Sequence, residues 1–134
     1  MAITGGGKIY LVDTDMLINH LRKFCNLFDV LSPLAVNSAV FMVSVISKAE
    51  VFAGRSSKIV KQQIKINALF NFFTLVPVTA DIAELAGKYT RDFEVPLLDA
   101  LIAATTVINQ AMLITQNTRH FSKIPNLKLI SSVL

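Results

Sequence analysis

Short β-rich runs alternate with stretches of helical periodicity along the whole chain, and this alternation limits the fold more than any other feature. Lys8 to Val12 reads as a strand ending at Asp13. Thr14 and Asp15 then resemble helix-start residues, followed by Met16, Leu17, Ile18 and Leu21 at helical spacing. A second helical stretch covers Asn26 to Ala35 and is limited or kinked by Pro33. Phe41 to Val45 is a short, buried-looking strand, and Ser47-Lys48-Ala49-Glu50 matches a capping box that opens the next helix. Gly54 ends or bends that helix. A longer one follows from Ser56-Ser57 to Phe73, with Ile59, Ile64, Leu69 and Phe73 turned inward and the lysines outward. Leu75 to Val78 is a strand, Thr79 starts a helix reaching Phe93, and after Pro96 an alanine-rich helix spans Leu98 to Gln110. Met112 to Thr115 and Leu127 to Ile130 complete the strands. Strands separated by helices imply parallel pairing through right-handed crossovers, and so an α/β class. In open sheets of this kind a site is expected beyond the carboxyl ends of the strands.

A chain of 134 residues is one domain, 1–134, and the run Gly5-Gly6-Gly7 marks residues 1–7 as a flexible lead-in. Apolar residues make up 53% and charged residues only 16%, so part of the apolar surplus is expected to cover a subunit interface. No stretch gives the roughly 20 uninterrupted apolar residues of a spanning helix, and the amino terminus lacks the apolar core of a secretory signal. The single cysteine, Cys25, rules out an intrachain disulfide. A cytoplasmic protein without membrane attachment is the expectation. The formal net charge is +4, with the densest basic cluster at Arg55, Lys58, Lys61 and Lys65. That balance permits phosphate binding and equally suits a solvated helix face.

Only nine carboxylates are present, and three of them, with one amide, stand where apolar flanks turn them toward the interior: Asp13, Glu50, Asp99 and Asn117. An acidic side chain in such a place is costly unless a cation meets it, and a divalent metal can meet several at once. Each position also has a plain structural reading. Asp13 with Thr14 and Asp15 can cap a helix. Ser47 with Glu50 can form the capping box. Asp99 early in a helix suits its dipole, and Asn117 suits a turn. A D-x-D after a strand also opens haloacid-dehalogenase-type phosphatases, but no adjacent carboxylate pair follows Asp15.

In their order and spacing, VDTDMLI around Asp13, SVISKAE with Glu50, LLDALIAAT with Asp99 and LITQNTRHF with Asn117 resemble the PIN-domain family. Within it they are most similar to the VapC-type toxins of type II toxin–antitoxin pairs. The resemblance runs from Ile9 to Ile130. It implies a three-layer α/β/α fold around a mainly parallel sheet of four to five strands. It also implies an acidic pocket that holds Mg²⁺ or Mn²⁺ and hydrolyses RNA, with structured RNA such as transfer RNA as the suggested substrate. Asp13, Glu50 and Asp99 fall on the family's recurring carboxylates and would be the metal ligands. Asn117 takes the fourth catalytic position, often Asp in the wider family. The amide removes one negative charge and makes a single ion a reasonable expectation. Thr14, Asp15 and Thr115 would orient the ligands or hold water. A cognate VapB-type antitoxin and a homodimer are the implied partners.

Phosphodiester hydrolysis needs an activated water, shielding of phosphate charge and help for the leaving oxygen, all of which carboxylate-bound divalent ions supply. One cysteine with His20 and His120 makes no zinc set; His20 reads as a surface or interface residue, and His120, close to Asn117, as a helical-turn surface residue or a substrate contact. Arg91 and Arg119 are the candidates for holding the RNA backbone, although either could instead pair with the antitoxin or with a carboxylate such as Asp92 or Glu94. Phe70, Phe72, Phe73 and Phe121 read as core or interface. A PIN-like module that has lost catalysis and only binds is the rival from another class, kept open by Asn117.

Overall fold

A computed structural model describes residues 7–131 of the chain. The elements run β1 (Ile9–Val12), α1 (Thr14–Leu21), α2 (Leu27–Leu31), β2 (Val40–Ser44), α3 (Val45–Ala53), α4 (Val60–Asn71) and β3 (Thr74–Val76). Then follow α5 (Ala80–Phe93), α6 (Leu97–Ile108), β4 (Met112–Thr115), α7 (Thr118–Phe121) and β5 (Leu129–Ser131). The five strands form one parallel sheet in the order β3-β2-β1-β4-β5. The α/β class and the parallel sheet expected from the alternation are therefore observed.

Side-chain alternation along each strand splits the core into two layers. Tyr10 and Val12 of β1, Val43 of β2 and Ile114 of β4 face a cluster built with Met16, Leu17, Leu27, Leu31, Val51, Ile66, Leu69 and Phe70. Leu11 and Leu113 point the other way, toward Ile82, Ala86, Tyr89, Ala100, Ala103, Ala104 and Phe121. Helices α1 to α4 thus cover one face and α5 to α7 the other, giving the three-layer α/β/α arrangement. The small residues Ala100, Ala103 and Ala104 are fully buried, which lets α6 lie close against the sheet. No helix among the described residues is long and apolar enough to cross a membrane.

Several local expectations are corrected. The capping box at Ser47 is absent. Helix α3 starts earlier, at Val45, and its cap is Ser44, whose hydroxyl accepts from the Ile46 N–H at 3.0 Å. β2 accordingly ends at Ser44 rather than Val45, and Ser47 becomes an interior helix residue. The inward stripe of α4 is Ile66, Leu69, Phe70 and, just past its end, Phe73, at the i, i+3, i+4, i+7 spacing of a single helix face. Ile64 lies about 200° round the helix from Ile66, at roughly 100° per residue. It is 65% exposed, and Ile59 is 57% exposed. Phe72 is half exposed and meets Phe28 edge-on at 4.8 Å, while Phe70, Phe73 and Phe121 are buried. The stretch from Asn26 to Ala35 divides into α2, capped by the Asn26 side chain, and a 3₁₀ turn at Ser32–Leu34 with Pro33 in its first turn.

His20 is not a free surface residue. Its Nδ1 accepts the Leu27 N–H at 3.0 Å and so ties the end of α1 to the start of α2. Of the glycine lead-in, residues 1–6 lie outside the described residues. Gly7 runs so close to the Ser38 carbonyl that a Cβ would collide with it.

Helix α5 ends on Glu94 in the left-handed conformation, at φ 56°. A non-glycine residue there carries roughly 1–2 kcal/mol of steric cost, which glycine avoids for about 0.5–1 kcal/mol of extra chain entropy. Glu94→Gly is therefore expected to raise the thermal midpoint by a few degrees in differential scanning calorimetry. An unchanged or lower midpoint would contradict this account of the helix end.

Candidate active site

Strand order reverses at β1, with β2 and β3 on one side and β4 and β5 on the other. This is the topological position at which parallel sheets open a crevice beyond their carboxyl ends. Three strands deliver a polar residue there: Asp13 directly after β1, Ser44 ending β2 and Thr115 ending β4. All three are buried.

Asp13 is the innermost. Its backbone N–H donates to the Ile114 carbonyl at 3.0 Å, which continues the β1–β4 ladder and fixes where the side chain emerges. One carboxylate oxygen, Oδ1, accepts the Thr14 N–H at 2.8 Å. The other, Oδ2, accepts the Thr115 hydroxyl, also at 2.8 Å. Thr115 Oγ1 in turn accepts the Asn117 N–H at 2.8 Å, so its single proton is directed at Asp13. Burial dominates this carboxyl and lifts its pKa to about 7, helped by the negative charges of Asp15 and Asp99 and opposed by the Thr115 and Thr14 hydrogen bonds.

Glu50 comes from the middle of α3. Its Oε1 accepts the Thr14 hydroxyl at 2.7 Å, and Thr14 Oγ1 also lies 2.8 Å from Ser47 Oγ. A hydroxyl has one proton, so Thr14 gives it to Glu50 and receives that of Ser47. Burial raises the Glu50 carboxyl above its ordinary value; the Thr14 bond lowers it, and the charges of Asp99 and Asp15 raise it further. Asp99, in the first turn of α6, is half-buried, and its Oδ2 lies 2.7 Å from His120 Nδ1. A carboxylate oxygen only accepts, so His120 carries its proton on Nδ1. Asp15 is exposed on the first turn of α1. Asn117 is half-buried at the head of α7, and its side chain makes no capping bond.

Asp13, Glu50, Asp99 and Asp15 therefore share one negative field. Among the described residues, no three His, Cys, Asp or Glu side chains close into a ready-made metal cage. Glu50 and Asp99 are instead each held by a protein donor, Thr14 and His120. The donor set still fits a hard divalent cation: carboxylate oxygens come from three separate elements, the deepest of them, on Asp13, buried at the end of β1.

Two groups in this constellation escape a reading of the sequence. Ser47 looks like a cap, and only the earlier start of α3 reveals it as a partner of Thr14. His120 reads as a helical-turn surface residue or a substrate contact, and nothing local signals its pairing with Asp99. Arg91, exposed on α5, is held by Asp92 through two hydrogen bonds of 2.7 and 2.8 Å. Arg119 is exposed on α7.

The raised Asp13 pKa has a stability consequence. The folded protein holds a proton there up to about pH 7 that the unfolded chain releases near 3.8. The stabilisation is complete below pH 3.8 and is lost as pH rises toward 7, by on the order of 4 kcal/mol. Asp13→Asn removes this loss. In urea unfolding with EDTA the variant should be more stable than the parent at pH 8, with the gap closing toward pH 4. A gap that does not vary with pH would contradict a perturbed Asp13.

Residues 10–127 match the family model for the PIN domain. The chain is 32% identical to the protein named ribonuclease VapC19 of Mycobacterium tuberculosis, over 88% of this chain and 96% of that one. It is 33% identical to ribonuclease VapC10 of the same organism, over 88% and 90% of the two chains. Among solved structures, the VapBC2 complex of Rickettsia felis bound to a promoter DNA fragment aligns with a TM-score of 0.80 at 23% identity, covering 93% of this chain and 99% of its counterpart. A toxin–antitoxin complex from Klebsiella pneumoniae aligns with a TM-score of 0.71 at 26% identity, covering 91% and 96%. With that match running from β1 past β4 and the acidic crevice at the switch point between them, the chain belongs to the PIN-domain family.

Proposed function

We propose that the chain is a metal-dependent endoribonuclease and the toxin member of a toxin–antitoxin pair, hydrolysing RNA phosphodiester bonds at the crevice beyond β1 and β4. The observation that carries this reading is the buried Asp13 carboxyl, pushed to about 7 beside further carboxylates. Such an arrangement is costly to a protein that only folds, and is relieved by a cation. Similarity to proteins named ribonuclease VapC supports RNA as the substrate.

Asp13, Glu50 and Asp99 would hold Mg²⁺ or Mn²⁺, which when bound supplies the positive charge that shields the phosphate and acidifies water. The chain's own groups prepare the site. Thr115 and the Thr14 N–H fix the two oxygens of Asp13. Thr14, itself set by Ser47, turns Glu50 into the crevice. His120 orients Asp99. Asn117 offers an amide that can meet a phosphate or water without adding negative charge. Arg119, and Arg91 on release from Asp92, would meet the RNA backbone. The exposed Phe24, Val36 and Val40 support burial against a second copy and a VapB-type antitoxin.

Asp13→Ala and Asp99→Asn are expected to reduce Mn²⁺-supported RNA cleavage by at least about 10³-fold without loss of fold. His120→Ala should weaken Mn²⁺ binding by roughly 10- to 100-fold, the usual effect of removing a ligand's orienting partner. End-mapped sequencing of RNA after brief induction, with Asp13→Ala as control, reads the first effect; isothermal titration with Mn²⁺ reads the second. Identical cleavage ends from the parent and Asp13→Ala would remove the nuclease reading. Co-expression with the neighbouring gene is expected to relieve growth arrest and yield a complex; the absence of both would remove the toxin assignment while leaving the fold.

A further inference from the structure

Next to the acidic crevice lies a groove of about 580 Å³ between α1, α3 and α4, within the size range of ligand sites. Its floor is apolar, from Ile18, Leu21, Val51 and Ile66. Arg22 and Arg55 stand on its walls with Gln62 and Ser56, and Glu50 closes it on the side of the crevice. Glu50 is the residue that Thr14 holds beside Asp13, so groove and crevice share a wall. Both arginines are exposed, and among the described residues neither forms an ion pair. By contrast, Arg91 is already engaged by Asp92.

We propose that this groove holds the unpaired RNA strand next to the bond to be cut, with Arg22 and Arg55 on its phosphates and an unstacked base over the apolar floor. The proposal rests on the nuclease reading above and names part of its substrate site. Charge complementarity selects the occupant. A chain with regularly spaced anionic groups can bond the two guanidiniums while its next phosphate reaches the carboxylates and their cation. Arginine's planar fork suits phosphate oxygens. The apolar floor selects single strands, because a duplex keeps its bases inside the stack and presents mainly backbone.

The test uses the full chain carrying Asp99→Asn, which prevents cleavage, and a fluorescein-labelled 20-nucleotide single-stranded RNA of mixed sequence read by anisotropy. Adding Arg22→Gln and Arg55→Gln should weaken binding at least tenfold and lower the log–log salt slope by about 1.4, two single-strand phosphate contacts' worth. Lys88→Gln, on the opposite layer, should change neither. Arg22→Lys with Arg55→Lys should recover most of the salt slope but only part of the affinity. Fully duplexed RNA of the same sequence should compete at least tenfold less well. With Asp99 restored, the double Gln variant should raise KM about tenfold, keep kcat within threefold and bind Mn²⁺ unchanged.

Unaltered RNA affinity and KM in the double Gln variant, with a parent that still cleaves, would overturn the groove and leave the nuclease reading intact. Weakened antitoxin binding with RNA binding unaltered would assign the groove to protein and likewise overturn it. A parent that neither binds nor cuts RNA would remove both.

Discussion

The Asp13 carboxylate at the end of the central strand is the interaction around which the site is built. The β1–β4 ladder continues one step past β1, through the Asp13 N–H and the Ile114 carbonyl, and that bond fixes where the side chain leaves the sheet. Two neutral donors meet its oxygens, while burial and neighbouring carboxylates work against its charge. Neutral hydrogen bonds do not cancel a buried negative charge, so the folded protein keeps an acid that protonates near neutrality. The cost is tolerable because the surrounding layers are tightly built: Leu11, Val12, Met16 and Leu17, on either side of Asp13 in the chain, are fully buried.

The same constraint explains how the remaining groups are arranged. Each carboxylate arrives on a different element, and each is steadied by a neighbour rather than by another carboxylate: Glu50 by Thr14, Asp99 by His120. Carboxylates left to themselves would repel or share a proton. Here each keeps a hydrogen-bond partner of its own at the crevice. Thr14 links two of them, since its N–H serves Asp13 and its hydroxyl serves Glu50. Substitution of this one residue would disturb both.

Much of this was legible in the sequence, for identifiable reasons. β1 and β4 are short apolar runs ended by Asp13 and Thr115, so their role and polarity could be read directly, and the alternation with helices gave the parallel sheet. What escaped depends on phase and on distant partners. Ser-x-x-Glu at Ser47 and Glu50 matches a capping box in any one-dimensional reading. Only the pairing of Ser44 with Val76 across β2 and β3 sets the helix start three residues earlier, and that frees Ser47 to face Thr14. The inward face of α4 is not legible in the sequence because Ile59 and Ile64 are as apolar as Ile66, and helix rotation is decided by the aromatic layer of Phe70 and Phe73 beneath it. The His120–Asp99 contact joins residues 21 positions apart on different helices, and no local pattern announces it.

The most direct measurement is the ionisation of Asp13 itself, followed by carboxyl carbon-13 NMR in the presence of EDTA and again with saturating Mg²⁺. A midpoint near 7 is expected without metal, with a fall of at least about two pH units when Mg²⁺ is added. A midpoint near 4 that Mg²⁺ leaves in place would contradict it.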